Sequence, residues 1–282
     1  MKYLVIGATG NVGGALLTQL LDAGHEVRAL VRSASRAELL PAGIDIAVGD
    51  LDDADSLTTA AAGVDGVFFM QLAPLPTQAD NMVKAARTTG VRKIVVLSSI
   101  GTVLEPLPMI GARIAARDQV FRDSGLDVTY LRANTLMSNA LWWLPTIREE
   151  GRVYDASDPG KTVPVDTFDI ARVAAAVLTQ DGHAGHGYIL GGPEALSARE
   201  QVEILADVLG RPIEFVPVTP EQFAQRSIEQ GTPAEFAGAV QNLNELFRAG
   251  RAGAVTEDVT NLTGTAPRTF RQWCEAHAHE FR

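Results

Sequence analysis

Seven residues near the amino end, Gly7-Ala8-Thr9-Gly10-Asn11-Val12-Gly13, have the types and spacing to hold a pyrophosphate. Glycines at the first, fourth and seventh places let the backbone come close to phosphate oxygens. A helix that starts there adds N–H donors and partial positive charge. Gly7, Thr9, Gly10, Asn11 and Val12 are the candidate contacts. The plainer reading is a tight strand-to-helix turn with no ligand, so context decides. Here an apolar run, Tyr3–Ile6, precedes the turn. The segment Asn11–Ala23 follows with Val12, Ala15, Leu16 and Leu20 at helical spacing, and Gly24 ends it. That is the setting a dinucleotide fingerprint requires.

Two further positions bear on the ligand. After a second apolar run, Val27–Val31, stand Arg32 and Ser33, with Arg36 nearby. A carboxylate at that strand tip would take the ribose 2′-OH of NAD, whereas an arginine can hold the 2′-phosphate of NADP. The expected cofactor is therefore NADP(H), the alternative being that Arg32 is only a solvated surface side chain. A third run, Ile44–Val48, leads to Gly49-Asp50-Leu51, where Asp50 can meet the adenine amino group and Leu51 can pack near the ring. Asp50, Asp52, Asp53 and Asp55 lack the glycine and terminal glutamate of a calcium loop. Asp52 or Asp53 reads instead as a helix cap.

The elements that must position these residues alternate regularly. Helices are expected over Asp52–Ala62, Gln78–Thr89 and Ala112–Asp123, and strands over Gly66–Met70, Lys93–Leu97 and Val128–Leu131. Strands rich in Val, Ile and Leu, each followed by a helix, imply a parallel sheet covered on both faces. Past Arg132 the rhythm breaks. Asn134–Leu144 is apolar and Asp155–Pro164 polar. Helices are expected over Asp169–Leu178, over Ser197–Leu209 with Ser197 and Glu200 as a capping box, within Pro220–Gly250, and over Thr269–Phe281. Tyr188–Leu190 and Ile213–Val218 read as strands. The fold class expected is α/β. Residues 1–132 form a doubly wound Rossmann domain, and residues 133–282 a smaller α+β substrate region partly interleaved with it.

The chain has 282 residues, 46% of them hydrophobic and 21% charged, with a formal net charge of −10. That balance disfavours a basic face for nucleic acid. Cys274 is the single cysteine, which excludes an intrachain disulfide and suits a reducing compartment. The opening residues run straight into a strand with no leader pattern. No apolar run reaches the roughly 18–20 residues of a membrane span. A cytoplasmic protein acting on a small molecule is the expectation.

The glycine fingerprint, Gly49-Asp50-Leu51, Leu97-Ser98-Ser99, Ser124-Gly125-Leu126-Asp127-Val128-Thr129-Tyr130-Leu131-Arg132 and Asn139 together resemble the NmrA-like branch of atypical short-chain dehydrogenases/reductases. Asp169-Ile170-Ala171 and Gly191-Gly192-Pro193-Glu194 extend the likeness. The resemblance implies that Met70 and Gln71, after strand four, and Ser98, after strand five, lie near the nicotinamide ribose. Their plainer role is to close strand ends. Most short-chain reductases protonate a carbonyl oxygen with a Tyr aided by a Lys four residues on. None of Tyr3, Tyr130, Tyr154 or Tyr188 begins that pattern, and the matching Ser, Tyr and Lys places fall near Ile100, Ile110 and Ile114. Hydride addition to a simple ketone makes a basic alkoxide that needs a positioned acid. Addition to a quinone makes a far less basic phenolate, for which proximity can suffice.

The residues thus imply an NADPH-dependent oxidoreductase for quinone-like or otherwise activated, aromatic acceptors. The alternative is a non-catalytic NADP(H) sensor with a protein partner. A ketoreductase or cyclase whose substrate supplies its own acid is a third, weaker reading. Ile100, Asn134, Trp142 and Trp143 are the candidate substrate contacts. The two tryptophans serve either as an apolar lid or as ordinary packing. Asn134, like Thr135, can meet the nicotinamide amide, although the resembling family usually has proline in place of Ala133. His183 and His186 lack a third metal ligand, so no metal is expected, and His277 and His279 read as surface residues.

Overall fold

In the first strand, β1 (Lys2–Ile6), successive side chains enter different cores. Tyr3 and Val5 join one apolar cluster, Leu4 and Ile6 another. A strand that is apolar on both sides has to be covered on both. The computed structural model, which describes residues 1–71 and 75–282, meets that demand with helices on each face.

The chain runs from β1 through α1 (Asn11–Asp22), β2 (Glu26–Val31), α2 (Ala34–Ala37), β3 (Asp45–Val48), α3 (Ala54–Ala61), β4 (Gly66–Phe69), α4 (Pro76–Thr89), β5 (Lys93–Ser99), α5 (Met109–Arg122) and β6 (Asp127–Ala133). Then come α6 (Leu144–Glu150), β7 (Arg152–Asp155), β8 (Lys161–Thr162), α7 (Thr167–Thr179), β9 (Gly187–Leu190), β10 (Leu196–Ser197), α8 (Ala198–Leu209) and β11 (Glu214–Pro217). Helices α9 (Pro220–Glu229), α10 (Ala234–Arg248), α11 (Asp258–Thr263) and α12 (Phe270–His277) close the chain.

Seven strands form the main sheet in the order β3-β2-β1-β4-β5-β6-β9, every pairing parallel. Leu16, Leu17 and Leu20 of α1 and Ile170, Val173 and Val177 of α7 seal one face, with Val259 of α11. Leu57 of α3, Met82 of α4 and Phe121 of α5 seal the other. This is a doubly wound α/β, Rossmann-type fold.

The late strand Gly187–Leu190, expected only as a short piece, completes the sheet edge beside β6, with Arg132 opposite Ile189. Helices α4 and α5 begin two and three residues earlier than the sequence pattern places them, at Pro76 and after Pro108. Proline suits a helix start because the first N–H groups have no partner within the helix. Of the two candidate caps, Asp53 fills the place, its carboxylate accepting from Asp55 N and Ser56 N.

Residues beyond β6 build a third core. The apolar stretch after Asn134 becomes a 3-10 turn over Met137–Trp143 followed by α6. These pack with Val202 and Leu205 of α8 and with Phe270, Trp273 and Cys274 of α12. The Ser197–Glu200 capping box opens α8 as expected, and Thr269 with Gln272 opens α12 in the same way. Burial pushes the Cys274 thiol up to about 12. His277 corrects the surface reading: its ring stacks on Trp273 at 4.4 Å and its Nδ1 lies 2.8 Å from the Trp273 carbonyl. It is half-buried because α12 turns that side of its last turn inward. Among the described residues no helix is long and apolar enough to cross a membrane.

Candidate active site

The strand order reverses between β1 and β4, and ligands of open α/β sheets bind outside the carboxyl ends of the strands at such a point. Gly7 follows β1 there with a left-handed φ of 79°. The Gly10 N–H donates to the Gly7 carbonyl at 2.9 Å. A Cβ on Gly7 would meet the Met70 sulfur at 2.8 Å, and one on Gly13 would run into the Gly7 carbonyl oxygen. The turn can therefore be this tight only with glycine at both places. Helix α1 has no side-chain cap and no acidic residue in its first turn, so the first N–H groups are left for an external anion. Thr9 and Asn11 are exposed at that opening, while Val12 is buried beneath it. The cradle fits a pyrophosphate.

Arg32 stands exposed one residue past β2, and among the described residues no ion pair engages it. Asp50 makes a local turn, its Oδ1 accepting from Asp52 N at 3.0 Å. Leu51 packs at the edge of the second core. A chain of amides ties the β3 and β4 ends together. Gln71 Nε2 donates to Gln78 Oε1 at 3.0 Å, and Gln78 Nε2 donates to Asp52 Oδ1 at 3.0 Å.

Beside this cradle lies a cavity of about 370 Å³. One wall is Met70 and Gln71 after β4, with Leu97 and Ser98 of β5. The facing wall is Ile110, Arg113, Ile114 and Arg117 of α5, and Phe236 and Ala239 of α10 close it. The four α5 residues follow a spacing of three, four and seven, so one helical stripe faces the cavity. Ile110 and Ile114, near which the sequence puts the places of the absent Tyr and Lys, are both on that stripe.

Behind the lining sits a buried network. Ser98 Oγ donates to Asp118 Oδ2 at 2.5 Å, and Arg117 Nε donates to Asp118 Oδ1 at 2.7 Å. Arg117 Nη2 also reaches the Leu97 carbonyl at 3.1 Å. The Ser98 hydroxyl proton is thus committed to a carboxylate, and Ser98 presents lone pairs to the cavity. Tyr130 donates to the Asp118 backbone carbonyl at 3.2 Å, and burial pushes its phenol up to about 12. The only ionisable groups on the described lining are two arginines.

The structure brings together the cofactor candidates Met70, Gln71 and Ser98, but the substrate candidates lie apart from this cavity. Ile100 is buried with Leu104 and Phe247 in a small cluster. Asn134 is buried as a brace, donating from Nδ2 to the Ala252 carbonyl at 3.0 Å and accepting at Oδ1 from Thr135 N. Trp142 is 77% exposed, and Trp143 packs against the third core. The described lining includes none of the four. Arg113, Arg117, Asp118, Phe236 and Ala239 escaped the sequence reading. For Asp118 a signal was present, since Ile114, Asp118 and Phe121 share one helical stripe with Phe121 in the core. His183 Nδ1 lies 2.9 Å from the Tyr188 hydroxyl. Among the described residues no three or more His, Cys, Asp or Glu gather as a metal site.

A family described as NAD(P)H-binding matches residues 7–181. A (4-alkanoyl-5-oxo-2,5-dihydrofuran-3-yl)methyl phosphate reductase of Streptomyces griseus is 38% identical over 280 residues, covering 99% of this chain and 98% of its own. An NAD(P)H azoreductase of Xenophilus azovorans is 35% identical over 281 residues, with 99% and 98% coverage. Among solved structures, an NADPH-dependent quinone oxidoreductase from Escherichia coli, complexed with NADPH, superposes with a TM-score of 0.88. Its identity is 24% and the match covers 100% of both chains, a likeness of fold.

Proposed function

The chain belongs to the NAD(P)H-binding family, and from that membership we propose that it reduces quinone-like, azo or comparably electron-poor acceptors with NADPH. It is an NAD(P)H-dependent oxidoreductase. The observation that carries the acceptor class is the cavity beside the cradle. Near the places where short-chain reductases have a Tyr and a Lys, this chain has Ile110 and Ile114, and the Ser98 hydroxyl donates its hydrogen bond to Asp118.

When bound, the dinucleotide supplies hydride. The chain's own residues do the rest. The Gly7–Gly13 turn and the first turn of α1 hold the pyrophosphate, and Asp50 and Leu51 flank the adenine. Met70, Gln71 and Ser98 orient the nicotinamide end. Ile110, Ile114, Phe236 and Ala239 exclude water and press a flat acceptor into place. In this reading residues 1–132 carry the nucleotide, and the region 133–282 supplies the closing wall through α10. With no carboxylic acid, histidine, tyrosine or lysine among the described lining residues, simple ketones should be poor acceptors, because their alkoxides would go unprotonated. Acceptors whose reduced forms are delocalised anions need only proximity and orientation. Both relatives described above bear the names of reductases, which gives the regulatory alternative no support. A reducing cytoplasm suits a chain whose one cysteine is a buried, unreactive thiol.

The test is NADPH with a panel of quinones, azo dyes and simple ketones. Acceptor-dependent loss of the nicotinamide absorbance is expected with the first two classes. No loss with any of them refutes the reading.

Arg32 is proposed to bind the 2′-phosphate. Arg32→Ala should weaken NADPH by about 10- to 100-fold, the size of lost charge-assisted hydrogen bonds, and leave NADH within about twofold. Calorimetric titration of both nucleotides reads this directly, and equal losses would remove the assignment.

A further inference from the structure

The reductase reading leaves the identity of the acceptor open, and the charge on the cavity narrows it. On a chain of net charge −10, the described lining of this cavity carries two arginines and no carboxylate. Their situations differ. Arg117 is buried and neutralised by Asp118, also buried, and its Nε and Nη2 are committed to Asp118 and the Leu97 carbonyl. Its charge is spent within the wall. Arg113, four residues earlier on the same stripe, is half exposed. Its ion pair is with Glu235 of α10, whose side chain is 75% exposed.

An ion pair that open to water contributes little, so Glu235 holds Arg113 only weakly. An anion entering the cavity would meet the same guanidinium on a wall that it shares with the apolar Ile110, Ile114 and Phe236, and a charge-assisted bond there can compete with so open a pair. Phe236 is 55% exposed although it lines the cavity, which leaves an apolar face beside Arg113 for the ring of a ligand. The cofactor does not account for this cation. Its pyrophosphate belongs to the Gly7–Gly13 turn and its 2′-phosphate to the tip of β2, while the end it presents to this cavity is the nicotinamide.

Resting on the reductase reading, we propose that the acceptor carries an acidic substituent, a carboxylate, sulfonate or phosphate, which Arg113 binds by exchanging Glu235 for it. The acceptor's conjugated system then lies against Phe236 with its reducible atom toward the β4–β5 side of the cavity. Arg113 is a specificity determinant in this arrangement, and Glu235 is a competing anion that keeps the site paired when it is empty of acceptor.

The experiment compares a naphthoquinone sulfonate with the same naphthoquinone lacking the sulfonate, in the parent protein, Arg113→Ala, Arg113→Lys and Glu235→Gln, with NADPH as donor. The ratio of kcat/KM for the sulfonate over the neutral quinone should fall about tenfold in Arg113→Ala, the worth of one partly desolvated charge contact. Arg113→Lys should restore part of it, and Glu235→Gln should raise it above the parent. Using a ratio cancels any general loss of activity or folding. An unchanged ratio in Arg113→Ala overturns the proposal. Calorimetric titration of the sulfonate into protein loaded with NADP⁺ reads the same contact without turnover. If neither quinone is reduced by the parent yet Arg113→Ala still abolishes sulfonate binding, the reductase reading fails and the anion site stands. If both quinones are reduced and sulfonate binding ignores Arg113, the site fails and the reductase reading stands.

Discussion

Replacing Gly13 with valine should weaken NADPH binding by about a hundredfold or more, near 2.7 kcal/mol. The first atom of any side chain at this position runs into the Gly7 carbonyl oxygen and lies within contact of the Gly7 carbonyl carbon and the Ala8 nitrogen. All of those are backbone atoms of the turn itself, so no side-chain rotation can relieve the clash. Either the turn opens or α1 moves away from β1, and both movements displace the N–H groups that would face the pyrophosphate. The core cost comes on top, because Val12, Leu16 and Leu17 of the same helix are packed against the sheet. An overpacked core of this kind typically costs about 1–3 kcal/mol. Fluorescence titration of NADPH, paired with a thermal melt, separates the two effects. A variant that melts near the parent temperature and binds NADPH with parental affinity would show that the turn is not the phosphate cradle.

That expectation draws on the part of the molecule most legible in sequence. The glycines of the turn are constrained by backbone geometry, and strand residues with apolar side chains on both faces leave little choice but a covered parallel sheet. Short-range rules also found Ser197 and Glu200 at the start of α8, since a capping box closes within four residues. What sequence could not carry is pairing between distant pieces. Residues 187–190 are too short and too mixed to reveal that they complete the sheet beside β6. Likewise, nothing local to Phe236 or Ala239 says that α10 will lie across α5. The site suffered most from this. Trp142 and Trp143 drew attention as large aromatic faces, yet one is solvent-exposed and the other serves the third core. The cavity is walled by a stripe of α5 that alternates isoleucine with arginine, a pattern with no clear apolar face. Arg117 and Asp118 are of types almost never fully buried unless paired. Here they pair with each other.

That pairing sets the largest expected change in stability. Asp118→Ala should lower the unfolding free energy by about 3–5 kcal/mol, because it leaves a buried guanidinium without its counter-charge. The side chains of Arg117 and Asp118 are each 3% exposed, so water cannot replace the lost carboxylate without opening the α5–β5 contact. Ser98 loses its acceptor as well, while the Tyr130 bond survives because it goes to the backbone carbonyl. A loss of this size is a large share of the roughly 5–15 kcal/mol that holds a typical domain together. Urea unfolding of the single variant measures it. The companion variant Arg117→Met with Asp118→Leu tests the cause, since a buried pair exchanged for apolar residues of similar size is often nearly neutral. The double variant should therefore be more stable than Asp118→Ala by about 2 kcal/mol or more. If both variants lose the same stability, the cost lies in packing volume rather than in a stranded charge. The two arginines of the cavity would then differ only in exposure, and the division between a spent charge at Arg117 and an available one at Arg113 would lose its basis.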